Sequence, residues 1–172
     1  MRSFKRAAHK HELPDSIDSL LEQAYRYAFS LAHDAVEAED LLQDTCLAIL
    51  AAGGSWQQGY VFATIRNRFI DRYRRNRKIL FLSLDHEEEA TEADPASLNW
   101  DAPDVLQNGH LGRALGSLKA EEREALFLSV VEGYTAEEIA ELTARPRGTI
   151  LSLLHRTKAK LRDLLGKQQV RR

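Results

Sequence analysis

The chain has 172 residues, of which 29% are charged and 44% hydrophobic, and its formal net charge is −2. That length holds one domain of ordinary size or two small ones. No apolar run approaches the roughly 20 residues that a membrane-spanning helix needs, so we expect no membrane insertion. The basic N-terminus has no apolar segment behind it and does not resemble a secretory signal. The single cysteine, Cys46, excludes an intramolecular disulfide and is typical of a reducing compartment, so we expect a cytoplasmic protein.

The charges are sorted into blocks of opposite sign. Residues 12–44 hold nine acids and one base, and residues 66–78 hold seven bases and one acid. Residues 79–112 hold eight acids and no Lys or Arg, and residues 145–172 hold nine bases and one acid. Two basic blocks in a chain of nearly neutral total charge predict two contacts with a polyanion, although solvated surface is the alternative.

The first half of the chain is predicted to form three helices. Apolar residues at helical spacing predict an amphipathic helix over about 16–32, and Asp34 can cap a second helix that ends near Gly53. Its apolar face is predicted to comprise Ala38, Leu41, Leu42, Cys46, Ile49 and Leu50. A third helix is predicted from Tyr60 to about Lys78, with its arginines facing outward. Its inward positions are predicted to be Val61, Phe62, Ile65, Phe69, Ile70 and Tyr73.

Residues 79–108 differ from both neighbouring segments, because they are acidic, contain Pro95 and Pro103, and lose helical periodicity. This composition predicts a linker, flexible or only partly ordered. The chain is therefore divided into a basic tail (1–15), a first helical domain (16–78), the acidic linker (79–108) and a second helical domain (109–172). The predicted fold class is all-α.

The second half is predicted to contain a helix-turn-helix. A helix near 111–118 precedes one over 119–131, whose buried face is predicted to be Ala125, Leu126, Leu128 and Val131. Thr135 and Glu138 form a capping box that opens a short helix, and residues 143–146 form a turn before a long basic helix from Arg147 to about Gly166. In this arrangement the second helix lies in the major groove of DNA, and a solvated basic helix is the alternative.

A helical wheel of the last helix separates an apolar arc from a polar face. The arc that would pack on the domain holds Ile150, Leu154, Thr157, Leu161, Leu164 and Leu165. The opposite, accessible face holds Ser152, His155, Arg156 and Arg162. This face therefore presents hydrogen-bond donors where DNA would lie.

Two stretches resemble bacterial sigma factors of the extracytoplasmic-function type, which keep only sigma-70 regions 2 and 4. AEDLLQDT (38–45) with IRNRFIDRYRR (65–75) resembles region 2, and GYTAEEIA (133–140) with RGTI (147–150) and LHR (154–156) resembles region 4. The resemblance covers most of residues 17–166. Both motifs in this order, with an acidic linker between them, are strongly specific. The resemblance implies a region 2 domain of three to four helices and a region 4 helix-turn-helix domain.

The resemblance implies that the acidic helix binds the clamp helices of core RNA polymerase, with the polymerase flap as a further contact. The predicted polymerase-binding residues are Glu39, Asp40, Gln43 and Asp44. They lie within about one and a half helical turns and can present carboxylates and an amide to a basic partner. The alternative is an acidic bias that suits the helix dipole, which explains Glu39 better than Asp44.

The resemblance also implies that the arginine-rich helix binds and melts the −10 promoter element. Arginines hold phosphates, and unstacked bases require aromatic stacking or a pocket. The predicted −10 contacts are Trp56, Tyr60, Arg66, Asn67, Arg74 and Arg75. For Tyr60 a core role and a DNA role are equally open, Phe62 is expected in the core, and Asp71 is expected to pair with Arg74 or Arg75.

The helix-turn-helix is implied to read the −35 element. Its predicted contacts are Thr135, Arg147, Thr149, Leu151, Ser152, His155, Arg156 and Lys158. The family usually has basic residues at positions 151 and 153, where this chain has leucine. On the helical wheel Leu151 lies near the edge of the accessible face, and Leu153 lies beside the apolar arc, where we expect it to extend the core. Ala144 stands where the family commonly has glycine. The turn must therefore avoid a left-handed conformation or accept strain.

The leading hypothesis is a promoter-recognition subunit that binds core polymerase and promoter DNA and is itself a target of an anti-sigma factor. We expect no enzymatic activity, cofactor, metal or small-molecule substrate, because no nucleophile–base pair, metal cluster or phosphate-binding glycine loop is present. Two alternatives stay open. One is a sigma-like mimic that sequesters an anti-sigma factor, and the other is a stand-alone helix-turn-helix regulator.

Overall fold

A computed structural model of the chain describes residues 16–83 and 109–169. These residues form seven helices and no strand, which confirms the all-α prediction. The first part contains α1 (Ile17–Ala32), α2 (Ala35–Ala52) and α3 (Gln58–Ser83). The second contains α4 (His110–Gly116), α5 (Ala120–Val130), α6 (Ala136–Thr143) and α7 (Arg147–Gln169). The predicted basic tail and most of the predicted linker lie outside the described residues.

The ends of α1 and α2 are set by local hydrogen bonds that the sequence indicates. The Ser16 hydroxyl accepts from the Ser19 amide at 3.2 Å, and the Asp34 carboxylate accepts from the Glu37 amide at 2.8 Å. Both contacts satisfy amides that lack a partner in the first turn of a helix. At the other ends, His33 and Gly53 both adopt left-handed backbone conformations with φ 56°. The helix over 16–32 and the Asp34 cap are therefore confirmed.

The core of the first part lies between α1, α2 and α3. The rings of Tyr27 and Phe62 stack with centroids 4.4 Å apart, and both side chains are fully buried. Around them pack Leu20, Ala24, Ala28, Leu31, Ala38, Leu41, Ile49, Val61 and Ile65. The expectation that Phe62 belongs to the core is confirmed.

Two apolar residues predicted to face inward are exposed instead. Tyr73 is 62% exposed, because α3 has 26 residues whereas α1 and α2 have 16 and 18 and cannot cover its whole length. Leu50 is 65% exposed, because it lies about 100° around α2 from the buried Ile49, at the limit of the apolar arc. These two assignments were wrong. Leu42 and Cys46, which lie closer to the arc, are half-buried.

The second part contains the predicted helix-turn-helix, formed by α6 and α7. The Thr135 hydroxyl accepts from the Glu138 amide at 3.3 Å, and the Glu138 carboxylate accepts from the Thr135 amide at 2.7 Å, so the capping box is confirmed. Ala144, between the two helices, adopts φ 53° and ψ 41°. The turn was expected either to avoid a left-handed conformation or to accept strain. It accepts the strain, because Ala144 is left-handed.

The buried face of α5 differs from the prediction at both ends. Ala125 and Leu128 are buried as expected and Leu126 is half-buried. Val131, the residue that follows the last helical residue Val130, is 56% exposed, so its predicted burial was wrong. Glu124, a carboxylate that no apolar pattern predicts, is buried with 3% exposure.

The two parts share one continuous hydrophobic core. Helix α1 packs against α5, and α3 contacts α6. The cluster of buried side chains runs from Leu20 in α1 to Leu154 in α7 without a break between the parts. Among the described residues no helix is both long and apolar enough to cross a membrane.

Candidate protein and nucleic-acid interfaces

The four predicted polymerase-binding residues lie along α2, and an arginine of α3 holds two of them. Arg72 donates to the Asp44 carboxylate at 2.5 Å and lies 3.7 Å from the Asp40 carboxylate. Asp40 and Gln43 are exposed, whereas Glu39 and Asp44 are half-buried. The structure therefore brings these side chains together on an accessible surface, with Arg72 fixing the orientation of both aspartates.

The same surface of α2 continues into two exposed leucines that the sequence did not indicate as functional. Leu47 and Leu50 are 66% and 65% exposed, and they follow Gln43 by four and seven residues, which places all three on one stripe. We name the stripe Asp40, Gln43, Leu47 and Leu50 the α2 stripe. It combines an acidic and amide end with an apolar end, as a protein interface commonly does.

A groove of about 400 Å³ runs along α3 and contains three of the predicted −10 contacts, Tyr60, Asn67 and Arg75. Its other lining residues are Ala63, Thr64, Arg68 and Asp71. Tyr60 is 40% exposed, and its ring packs so closely on Gly54 that a Cβ there would lie 3.0 Å from the ring hydroxyl. The groove therefore has an aromatic wall, an amide and two guanidinium groups.

The arginines and the tryptophan among the predicted −10 contacts differ in exposure. Arg75, which lines the groove, and the neighbouring Arg74 are both exposed, and Arg75 Nε donates to the backbone carbonyl of Asp71 at 3.3 Å. Trp56 is half-buried and packs against the core. The structure places Tyr60, Asn67 and Arg75 side by side, with Trp56 set back from them.

Arg66 lies apart from this group, in contact with the second part of the chain. Its Nε donates to Glu124 Oε1 at 2.9 Å, and the Arg66 and Glu124 side chains are only 12% and 4% exposed. The Tyr27 hydroxyl donates to the same oxygen at 2.8 Å. Burial and the Glu124 carboxylate raise the pKa of Tyr27 well above its usual value. In this conformation Arg66 is not available to DNA.

The accessible face of α7 carries almost all the predicted −35 contacts. Its exposed members are Arg147, Thr149, Leu151, Ser152, His155, Arg156 and Lys158. Leu153 is buried and extends the core, as expected, while Leu151 is 44% exposed at the edge of the face. Thr135 is exposed at the start of α6, one helix away.

Local contacts hold several side chains of the α7 face in place. The Ser152 hydroxyl donates to the Gly148 carbonyl at 2.9 Å, and Arg156 Nε donates to the Ser152 carbonyl at 3.3 Å. Arg147 pairs with Glu137 of α6 at 3.3 Å, between two exposed side chains. The face therefore presents donors in an ordered row, while the opposite side of α7 packs against α4, α5 and α6.

Comparisons with known protein families match both parts of the chain. The model of Sigma-70 region 2 matches residues 17–79, and the model of Sigma-70, region 4 matches residues 110–161. The first match covers α1, α2 and most of α3, and the second covers α4 to most of α7. The two matched segments together contain every predicted interface residue.

Three curated relatives are sigma factors. The chain is 31% identical over 163 residues to the ECF RNA polymerase sigma factor EcfG of Rhodopseudomonas palustris, covering 89% of this chain and 84% of that protein. It is 35% identical over 138 residues to CarQ of Myxococcus xanthus, covering 77% of each. It is 30% identical over 150 residues to SigE of Mycolicibacterium smegmatis, covering 85% of this chain, although the matched region spans only 58% of that protein's length.

A solved structure is similar over nearly the whole chain. It is a co-crystal structure of the sigma factor RpoE in complex with the anti-sigma factor NepR from Bartonella quintana, with a TM-score of 0.65 and 28% identity, covering 89% of this chain and 94% of that one. The region matches, the curated relatives and this likeness agree on one family. The chain belongs to the sigma-70 family of RNA polymerase sigma factors, and within it to the ECF sigma factors.

Proposed function

We propose that this chain binds core RNA polymerase and directs it to promoters, with the first part melting the −10 element and the second part reading the −35 element. The observation that supports this most strongly is the α7 face, where ordered donors stand opposite a buried apolar arc in a family that initiates transcription. The first residues of such a helix reach base edges in the major groove.

The α2 stripe is the proposed polymerase contact. Asp40 and Gln43 supply charge and an amide, and the exposed Leu47 and Leu50 supply apolar area beside them. Burial of apolar area is a favourable term in protein association, while charges set orientation and association rate. The clamp helices are the proposed partner of this stripe, and the flap is the proposed partner of the second part.

The groove along α3 is the proposed site for the −10 strand. Tyr60 offers a partly exposed ring on which a base can stack, and Asn67 offers an amide for a base edge. Arg75 lines the groove, the neighbouring Arg74 is exposed, and both can hold phosphates. Leu151 on α7 is proposed to contact a thymine methyl rather than a phosphate, because an exposed leucine offers no donor.

We further propose that an anti-sigma factor inhibits the protein in the cytoplasm by competing with polymerase. The likeness to an RpoE–NepR complex supports this partner. The rival function, a mimic that only sequesters an anti-sigma factor, needs no DNA-binding surface. The exposed donors of α7 and the groove along α3 therefore favour the initiating role.

The proposal is tested by run-off transcription with purified core polymerase on promoters selected by sequencing of polymerase-bound DNA. We expect specific initiation, and we expect Arg156→Ala to reduce it by about tenfold, since one base or phosphate contact is worth ~1–3 kcal/mol. The matched control is Arg113→Ala, which removes the same charge from an exposed position on α4 outside the proposed surface. Absence of any specific product, or equal loss in both variants, would contradict the assignment.

A further inference from the structure

The loop that joins α2 to α3 places a glycine directly against the ring of Tyr60. A Cβ built on Gly54 would lie 3.0 Å from both Cε1 and the hydroxyl oxygen of Tyr60, and 3.3 Å from its Cζ. Non-bonded heavy atoms at their optimal separation lie about 3.5–4.0 Å apart, so the site is too tight for an alanine. The Tyr60 ring therefore occupies the space that any other side chain at position 54 would need.

The backbone conformation of Gly54 does not itself require glycine. Among the described residues the glycines with positive φ are Gly53 and Gly133, and Gly54 is not one of them. Gly53 ends α2 in the left-handed conformation, and the Gly54 amide donates to the Ile49 carbonyl at 2.9 Å, as in a Schellman motif. The residue at the position of Gly54 in this motif frequently makes an apolar side-chain contact with the helix. Gly54 lacks such a side chain, and the Tyr60 ring lies against it instead.

The loop around Gly54 is held by its own contacts, whereas the ring has room to move. The Gln57 amide donates to the Ser55 hydroxyl at 3.3 Å, and Trp56 packs against the hydrophobic core. Tyr60 is 40% exposed, so its ring can rotate toward solvent. An added Cβ at position 54 should therefore displace the ring rather than the loop.

We propose that Gly54 is a positioning residue for the −10 strand, because it lets the Tyr60 ring lie where it lines the groove along α3. The inference rests on the proposed function of that groove. Asn67 lines the same groove seven residues later, about 10 Å farther along the helix axis. A strand that stacks one base on the ring and presents another to the amide must fit this spacing. A displaced ring loses the stack while Asn67 stays in place.

A role of Gly54 in folding alone has a different consequence from a role in positioning the ring. If glycine served only the fold, its replacement would weaken DNA binding to the same extent whether or not Tyr60 is present. If Gly54 acts through the ring, its replacement should have no effect on DNA binding once the ring has been removed. The two roles are therefore separated by combining substitutions at both positions.

The first experiment reads the position of the ring in the free, full-length chain. It compares Gly54→Ala with Gly59→Ala, because no described atom lies within 4 Å of a Cβ built on Gly59. The protein is labelled with meta-fluorotyrosine, and the fluorine NMR signal that is missing from Tyr60→Phe is assigned to Tyr60. We expect Gly54→Ala to shift this signal and Gly59→Ala to leave it in place.

The second experiment measures the affinity of the complex with core polymerase for a labelled single strand that carries the −10 element of a selected promoter. Fluorescence anisotropy should show that Gly54→Ala raises Kd by about tenfold, since stacking of a base on an aromatic ring contributes at least that much. Gly59→Ala should match the unaltered protein. Tyr60→Ala should raise Kd by at least as much as Gly54→Ala, and the two substitutions together should raise it no further than Tyr60→Ala alone.

Three results would overturn the proposal. One is a Tyr60 fluorine signal that does not move in Gly54→Ala, and another is equal Kd values for Gly54→Ala and Gly59→Ala. The third is a loss of affinity or of the folded state in Gly54→Ala that persists in the Tyr60→Ala background, because the added Cβ would then act on the loop. Failure of the unaltered complex to bind the strand would instead contradict the proposed function of the groove, since the fluorine spectrum uses neither DNA nor polymerase.

Discussion

At the scale of single residues, Ala144 is the clearest case of strain in the described chain. Its φ of 53° belongs to the left-handed region, which costs a residue with a Cβ about 1–2 kcal/mol and costs glycine almost nothing. Glycine also adds freedom to the unfolded chain, which offsets part of that gain. We therefore expect Ala144→Gly to raise the free energy of unfolding by ~0.5–1 kcal/mol, as measured by urea denaturation.

The control for this substitution is Ala159→Gly, inside α7. The same change of side chain there should lower the free energy of unfolding by about 1 kcal/mol, because glycine is a poor helix former. If both variants are destabilised to the same extent, Ala144 does not hold the left-handed conformation in solution.

The residues that join the two parts were beyond sequence reasoning. Glu124 and Arg66 are 58 positions apart, and nothing in the local pattern of either helix indicates the other. Its chemistry places Arg66 with the outward arginines, and the sequence gives no reason to single out Glu124. By contrast, Thr135 and Glu138 lie three positions apart, and their capping box could be predicted because both partners belong to the same turn.

At the scale of elements, α2 depends on its N-terminal cap to present the α2 stripe. Asp34 accepts the Glu37 amide at 2.8 Å, and loss of such a cap typically costs ~1 kcal/mol, within a range of about 0.5–2. We expect Asp34→Ala to lower the free energy of unfolding by that amount, measured by thermal or urea denaturation. Asp34→Asn keeps an accepting oxygen without the charge, so it should retain most of the stability. A loss in Asp34→Asn as large as in Asp34→Ala would assign the effect to charge rather than to capping.

The sequence predicts where the helices lie better than it predicts which residues near their ends are exposed. The periodicity and caps predicted α1 and α2 to within about one residue at each start, because both signals are local. Tyr73 and Val131 were assigned to buried faces by the same periodicity, yet exposure depends on what lies opposite, and no described helix covers either. Apolar spacing therefore predicts a face, whereas tertiary packing decides how much of that face is covered.

At the scale of the whole molecule, the blocks of charge have different environments. The acidic residues of α2 are half-buried or exposed, and the basic residues Arg147, Arg156, Lys158 and Arg162 of α7 are exposed, as expected for surfaces that meet two different partners. The boundary between the parts contains charged groups, among them Arg66, Glu124 and Arg123, and two tyrosines, Tyr27 and Tyr134. Because ionisation of either phenol would place a charge at this boundary, the stability of the folded molecule should fall at alkaline pH.

The direction of that response follows from the pKa values of the two phenols. Burial, reinforced by Glu132 and Glu138, raises the pKa of Tyr134 to about 12, and that of Tyr27 is raised well above its usual value. A raised folded-state pKa means that the stabilisation is complete below the unfolded value of about 10 and is lost as pH rises through the folded value. We expect the urea concentration at the unfolding midpoint to fall between about pH 10 and 12.

The variant Tyr134→Phe should make that fall with pH shallower, because one of the two phenols no longer titrates. The control Tyr73→Phe, at an exposed position, should leave the slope unchanged. Identical slopes for the two variants would mean that ionisation of Tyr134 is not what destabilises the folded molecule at alkaline pH.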